Sequence, residues 1–295
     1  MGLHNQLRDI IPGPLDLAQK AVRTAAHRLG LWHGLLRDCR GVSDIDQSIL
    51  VKSFLVSLPH LATEPGKWRE PQLVNDATIQ VKDGFKFFIR ARTDDLGHIR
   101  QKTHRNLIGS VAKHLHPGDV AIDAGANIGI FAANFSRLVG PSGRVIAIEM
   151  MPSTAKSLSL TIAGNDLHNV ELVEMALSDE AGKSLKIGMP DERHFGQASI
   201  IRNQEVESQS ISVKTTTLDD ITSGIDRLSV LKMDLEGAEL VALKGASRTL
   251  QITDAILYEV TSDDDQLDKI LSENGFRIRR IDGLNKLAER SQERR

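Results

Sequence analysis

The chain reads as an α/β protein built on a mostly parallel central sheet flanked by helices, with a helical segment ahead of it. Three observations predict this. From about residue 120 onward, short apolar runs alternate with helical patterns, the order that produces parallel strands covered on both faces. One such run, Val120-Ala121-Ile122, leads into the glycine-bearing turn Asp123-Ala124-Gly125-Ala126-Asn127-Ile128-Gly129 and then a helical pattern from Ile130 to Leu138. Before residue 70 the apolar residues recur at helical spacing instead.

Taken in order, Leu15, Leu17, Ala18, Ala21, Val22, Ala25 and Leu29 mark a helix expected to end at Gly30. A second apolar stretch, Ile49 to Leu58, is expected to stop at Pro59, and Pro65-Gly66 marks a turn. Residues 1–70 thus form a helical N-terminal segment and 71–295 the main domain. Thr78 to Lys82 alternates, Asp83-Gly84 is a hairpin signal, and Phe85 to Ile89 pairs back. A helix is expected over His104 to Leu115, then the strand that opens the glycine turn. Further strands are expected at Arg144–Glu149, Val170–Met175, Ser184–Ile187, Ile211–Thr215, Ser229–Met233, Ala255–Val260, Gly275–Ile281 and Lys286–Ala288. Helices are expected from Pro152 to about Gly164, from Ala238 to Gly245 and from Gln266 to Leu271. A polar loop, 189–209, is long enough to be a functional lid or a disordered segment.

The composition is ordinary for a globular protein: 295 residues, 40% hydrophobic and 26% charged. A net charge of −2 and 4% aromatics give no footprint for nucleic acid, by phosphate attraction or by base stacking. Cys39 is the one cysteine, so an intrachain disulfide and a four-cysteine metal site are both excluded. No apolar run reaches the ~18 residues of a membrane span. The expectation is a soluble cytoplasmic protein with a small-molecule partner and no membrane span; its oligomeric state is left open.

A helix start presents free backbone N–H groups and a positive dipole end, and glycines there let a ligand approach the backbone. The turn is therefore suited to a charged small molecule. A dinucleotide fingerprint reads G-x-G-x-x-G, but Asn127 stands where its second glycine would sit against the pyrophosphate. Glu149 ends the next strand, placed for ribose hydroxyls; that acid by itself fits a nicotinamide dinucleotide and S-adenosylmethionine alike.

Asp123-x-Gly125-x-Asn127-x-Gly129 resembles the nucleotide loop of class I S-adenosylmethionine methyltransferases, a Rossmann-like fold. Lys232-Met233-Asp234-Leu235-Glu236-Gly237-Ala238-Glu239 with Leu243-Lys244-Gly245-Ala246, preceded by Thr216-Thr217-Leu218-Asp219-Asp220, resembles the signature of the FkbM methyltransferase family. Ala176-Leu177-Ser178-Asp179 fits it too, and the resemblance spans about 75 to 290. It departs at Thr103-His104-Arg105, where family members often carry a Tyr-Glu pair, so no role of that Glu transfers.

The resemblance implies S-adenosylmethionine as cofactor. Gly125, Ala126, Asn127 and Gly129 would shape the pocket for its methionine part. Asp123 would orient the loop or meet the amino group. Glu149 would bind the ribose, with Met150 against the adenine and Ala176 and Leu177 lining that site. Asp234, Glu236 and Glu259 are the catalytic candidates; Glu239 and His194 are weaker ones. Asp234 or Glu259 would take the proton of a hydroxyl acceptor, or the pair would hold Mg²⁺ to lower the hydroxyl pKa. The acceptor implied is a hydroxyl on a sugar, glycolipid or secondary metabolite. Two rival readings are a non-catalytic S-adenosylmethionine-binding protein and an NAD-linked oxidoreductase, the latter weakened by Asn127.

Overall fold

The computed structural model describes residues 14–61, 71–99, 102–188, 210–259 and 264–290. The N-terminal part contains α1 (Pro14–Asp38), β1 (Cys39–Gly41) and α2 (Asp44–Ser57). The hairpin β2 (Ala77–Val81) and β3 (Lys86–Ile89) follows, then α3 (Asp95–His98) and α4 (Lys102–Val111). The central alternation begins with β4 (Val120–Ala124), α5 (Ile130–Val139), β5 (Arg144–Ile148), α6 (Pro152–Gly164) and β6 (Val170–Val173). Then come β7 (Ala176–Leu177), β8 (Ser184–Gly188), β9 (Ser210–Thr216), α7 (Leu218–Ile221) and β10 (Leu228–Met233). The chain continues through α8 (Glu239–Lys244), α9 (Ser247–Ile252), β11 (Thr253–Glu259), α10 (Asp264–Glu273), β12 (Phe276–Arg280) and β13 (Asn285–Arg290).

Seven strands form the central sheet in the order β12-β13-β11-β10-β4-β5-β6. Five of them, β11 to β6, run parallel, and β13 inserts antiparallel between β11 and β12. The strand runs are almost wholly apolar because both faces are covered. Ile122, Ile146, Ile148 and Met233 pack on one side of the sheet, while Ala121, Val145, Ala147 and Val230 pack on the other. From β4 the chain moves outward to β5 and β6, then returns to the far side of β4 as β10. The crevice beyond the carboxyl ends of β4 and β10 is therefore the place where such sheets bind ligands.

The expected strands of the central sheet are present, with differences that have physical reasons. Helix α1 does not stop at Gly30. A mid-helix glycine costs only ~1 kcal/mol, and continuing the helix buries Trp32 and Leu35 completely or nearly so. Pro59 does not end the second helix by itself; it lies within a 3₁₀ turn, Leu58–His60, that follows α2. Cys39, flanked in sequence by the charges of Asp38 and Arg40, is buried in β1, opposite Val81 of β2. This strand joins the N-terminal helices to the hairpin in a three-stranded sheet. The strand expected over Val170–Met175 ends at Val173, and Ala176–Leu177 instead pairs with β9 in another small sheet. Pro65-Gly66, His194 and the loop 189–209 lie outside the described residues.

Two sets of side-chain bonds tie the hairpin to α6 and its C-terminal cap. The free edge of β3 is satisfied by α6, where Asn165 and Thr161 accept from Lys86 N and Phe88 N. Buried Arg90, after β3, clamps Asp95 at the start of α3 through two 2.8 Å contacts and reaches Thr154 of α6. That clamp sets α3 over the crevice.

Candidate active site

The glycine turn is shaped by close packing of strand ends. Gly125 and Ala126 both donate to Ile148 O, and Asp234 N donates to Ala124 O at 3.1 Å. Gly125 has φ +74, and a Cβ there would overlap the carbonyl oxygen of Asp234. Only glycine permits that approach. Asn127 is also left-handed, φ 48, a conformation that asparagine tolerates better than most residues. Gly129, φ +95, caps α5, and a Cβ there would sit 2.6 Å from Leu158 Cδ1 of α6.

Beneath the turn lies a buried ion pair. Asp123, fully buried, accepts from Ala132 N of α5 at 2.8 Å. Its other oxygen is 3.2 Å from Lys232 Nζ. The same ammonium donates to Gly125 O at 2.8 Å, lies 3.5 Å from Asp234 and sits 5.2 Å above the Phe131 ring. Burial works against charge on Lys232, but Asp123 and Asp234 outweigh it and hold its pKa above the ordinary value.

Glu149, buried after β5, is held by two backbone donors: Asn127 N at 3.0 Å and Met151 N at 2.9 Å. Each of its oxygens keeps a lone pair for a ligand. Burial raises its pKa despite those bonds.

At the other end of the crevice four carboxylates gather: Asp234, Glu236, Glu239 and Glu259. Glu236 is left-handed, φ 52, which turns the chain sharply between β10 and α8. Glu239 is fully buried, with Oε1 accepting from Leu235 N at 2.7 Å. Partial burial and the charges of Asp234 and Glu239 push Glu236 up to about 7. Burial, then Asp234 and Glu236, push Glu259 up to about 7 as well.

Two histidines close this end from α3 and α4. His98 Nε2 lies 3.5 Å from Asp94, and its ring stacks on His104 at 5.9 Å. Burial opposes charge on His98, yet Asp94, with Asp95 and Asp234 beyond it, raises its pKa. Burial, together with His98, lowers His104 to about 4 and leaves it neutral at pH 7. His104 Nδ1 meets His98 O at 3.0 Å, so it carries the proton and Nε2 is an acceptor.

One cleft brings together Gly125, Ala126, Asn127, Glu149 and Met150 with Ala176, Leu177, Asp234 and Glu236. Glu259 lines an adjoining chamber that shares Asp234, Glu236 and both histidines. Asp123 and Gly129 do not line the cleft; they act on the turn from behind it. Among the described residues, no group of three His, Cys, Asp or Glu side chains could hold a metal ion, so the Mg²⁺ reading finds no ligand set there.

The sequence match that decides the family covers the glycine turn and the strand ends that carry Glu149, Asp234 and Glu259. The Methyltransferase FkbM domain matches residues 123–278. This chain belongs to the FkbM methyltransferase family. Methyltransferase sdnD of Sordaria araneosa is 27% identical over 193 residues, covering 54% of this chain and 74% of that protein. The 2-O-methyltransferase NoeI of Sinorhizobium fredii is 30% identical over 172 residues, covering 54% of this chain and 68% of that protein. A crystal structure of methyltransferase FkbM from Methylobacillus flagellatus is 18% identical, with a TM-score of 0.45, covering 93% of this chain and 60% of that one.

Four residues of this FkbM methyltransferase site escape a reading by motif roles: Lys232, Asp94, His98 and His104. Lys232 has a signal, a lone charge in the otherwise uncharged run of β10. The other three have none locally, since the Arg90 clamp and α4 carry them to the cleft. Among the described residues no helix is long and apolar enough to cross a membrane.

Proposed function

We propose that this methyltransferase takes its methyl group from S-adenosylmethionine and delivers it to a hydroxyl, on a sugar, glycolipid or secondary metabolite. The observation that carries the donor reading is the pairing of Glu149 with the glycine turn. Both Glu149 oxygens are pre-set by backbone donors at one end of a cleft whose other end is Asp234. The cleft also fits on a second count, since Asn127 Oδ1 is buried there without a hydrogen-bond partner. A ligand ammonium would satisfy it. Glu149 would take the ribose hydroxyls, and Met150, Ala176 and Leu177 would cover the adenine.

Bound there, S-adenosylmethionine supplies an electrophilic methyl on a good leaving group. The chain's share is positioning and proton removal. Aligning the reacting atoms contributes on the order of 7–11 kcal/mol. Glu259 and Glu236, both at about 7, are tuned for a general base near neutral pH. Asp234 lines both chambers, so an acceptor hydroxyl seated beside Glu259 would lie near it. The likeness to NoeI, a protein named as a 2-O-methyltransferase, supports a hydroxyl acceptor.

Thermal shift with S-adenosylmethionine, S-adenosylhomocysteine and NAD tests the donor. A ligand at 100 times its Kd adds about 2.7 kcal/mol of stability; no shift with S-adenosylmethionine refutes the reading. Labelled S-adenosylmethionine with a panel of hydroxyl compounds tests the acceptor, and methyl appearing only on nitrogen would refute that part. The same assay with and without a chelator tests Mg²⁺.

A further inference from the structure

His104 of α4 stands where the two chambers meet: its ring lines both the donor cleft and the chamber of Glu259. Three contacts fix that half-buried ring. Nδ1 donates to His98 O at 3.0 Å, the ring stacks on His98 at 5.9 Å, and Phe131 meets it edge-on at 5.7 Å. With the proton on Nδ1, Nε2 is a hydrogen-bond acceptor. Burial first, then the charges of His98 and Lys232, hold the pKa at about 4, so Nε2 carries no proton of its own at pH 7. Among the described residues nothing donates to it. Donors that line the same chamber are engaged with protein groups: Tyr258 Oη with Asp268, Asn285 Nδ2 with Asp282, Lys232 Nζ with Gly125 O, and His98 Nε2 lies against Asp94. An acceptor nitrogen left open in such a site calls for a donor from a ligand.

A hydroxyl has one hydrogen to give. On the reading above, the reacting hydroxyl passes it to Glu259 or Asp234 as the new O–CH₃ bond forms and the S–CH₃ bond breaks. It has none left for His104. The two sites are close: His104 and Lys232 both rest on the Phe131 ring, and Lys232 is 3.5 Å from Asp234. We propose that His104 Nε2 holds a second hydroxyl of the acceptor, the neighbour of the one that is methylated, so that this enzyme takes vicinal diols, as on a sugar ring, in preference to lone alcohols. The inference rests on the hydroxyl reading and narrows it. Two anchored oxygens fix the acceptor against the methyl group, where a single one would leave it free to turn.

Nuclear magnetic resonance of the full chain, with isotope-labelled histidine and loaded with S-adenosylhomocysteine, tests the contact. A cis vicinal cyclohexanediol should move the His104 Nε2 resonance, and cyclohexanol at the same concentration should leave it in place. No movement, or equal movement with both, overturns the inference. In the labelled-methyl assay, methyl glycosides should exceed their monodeoxy counterparts roughly tenfold or more in kcat/KM, the loss expected for one hydrogen bond. His104→Phe keeps a ring against Phe131 but has no acceptor nitrogen. It should raise KM for the diol roughly tenfold and leave the deoxy compound and donor affinity as they were. His104→Gln, whose amide oxygen can take the place of Nε2, should restore most of the preference. If His104→Phe weakens both acceptors alike, or weakens donor binding, the residue is structural and the inference is overturned. Equal transfer to diols and lone alcohols overturns it too and leaves the hydroxyl reading standing. Failure of the wild-type chain to bind S-adenosylhomocysteine overturns the donor reading and the inference together.

Discussion

Gly125→Ala tests whether the cleft is shaped by the contact between the ends of β4 and β10. The added Cβ meets two obstacles. The residue sits at φ +74, where a side chain costs about 1–2 kcal/mol. The Cβ would also overlap Asp234 O and stand 3.0 Å from Asp234 C, backbone atoms that cannot swing away. Overpacking of that kind costs a further ~1–3 kcal/mol. The total, about 2–5 kcal/mol, must be met by parting the strands and weakening the Asp234 N to Ala124 O bond. Gly84 is the control: φ +92, with nothing within 4 Å of its would-be Cβ, so Gly84→Ala should lose only the conformational part, about 1–2 kcal/mol. Urea unfolding followed by circular dichroism reads the difference, with the Gly125→Ala midpoint on the order of 1 M lower than wild type. Donor binding by calorimetry should fall in that variant and hold in Gly84→Ala. Equal midpoints for the two variants, with donor binding intact in both, would refute the argument that strand contact makes glycine necessary.

Asp234→Asn should lower turnover by about 10²–10⁴ while the donor still binds, if Asp234 handles the acceptor proton; near-normal turnover removes it from the catalytic group. Turnover in the wild type should fall as pH drops below about 7, because protonating Glu259 or Glu236 removes the base; Glu259→Gln should alter that profile, and an unchanged profile would exclude Glu259. The same raised pKa makes Glu259 a stability liability. The folded state keeps its proton to about 7 while the unfolded chain loses it near 4.5, so stability drops as pH rises between those values. After allowance for solvent screening, Glu259→Gln should gain about 1 kcal/mol at pH 8 and nothing near pH 4, read by denaturant titration at both. Lys232→Met leaves Asp123 buried without its cation and should cost about 3–5 kcal/mol in the same titration, and a loss below about 1 kcal/mol would contradict the ion-pair account.

The glycine turn, Glu149 and Asp234 were legible because each lies at a strand end, and strand ends follow from apolar periodicity. Their clustering then follows from the parallel order of the sheet. The end of α1 was not legible. Gly30 reads as a stop, and only the burial of Trp32 and Leu35 against the hairpin keeps the helix running. The break between β6 and β7 was hidden for a similar reason, since Ala176-Leu177 leaves one sheet to pair with β9, far along the chain. His98 and His104 owe their place to Arg90, whose guanidinium joins Asp95 to Thr154, residues 64 positions from it in the second case. No window of sequence around either histidine contains that bridge. Thr217 is the local extreme: its side chain accepts from Asp220 N, a cap that starts α7 and spans only three residues.

The Asp123–Lys232 pair shows why site and fold cannot be separated at this crevice. A buried ion pair is weak support for stability, because two apolar residues of similar size would serve as well. Its remaining contacts go to the turn and the helix that follows it: Ala132 N of α5 on the acid side, Gly125 O on the lysine side. An apolar pair would fill the space and leave those backbone groups to find other partners, and the turn would lose the contacts that set its shape. Lys232 also stands between Asp123 and Asp234, so it ties the buried acid behind the turn to the first of the clustered carboxylates. The strand core and the glycine turn account for where a ligand sits. The way this one lysine bridges Asp123 and Asp234 couples that place to the carboxylates at the far end.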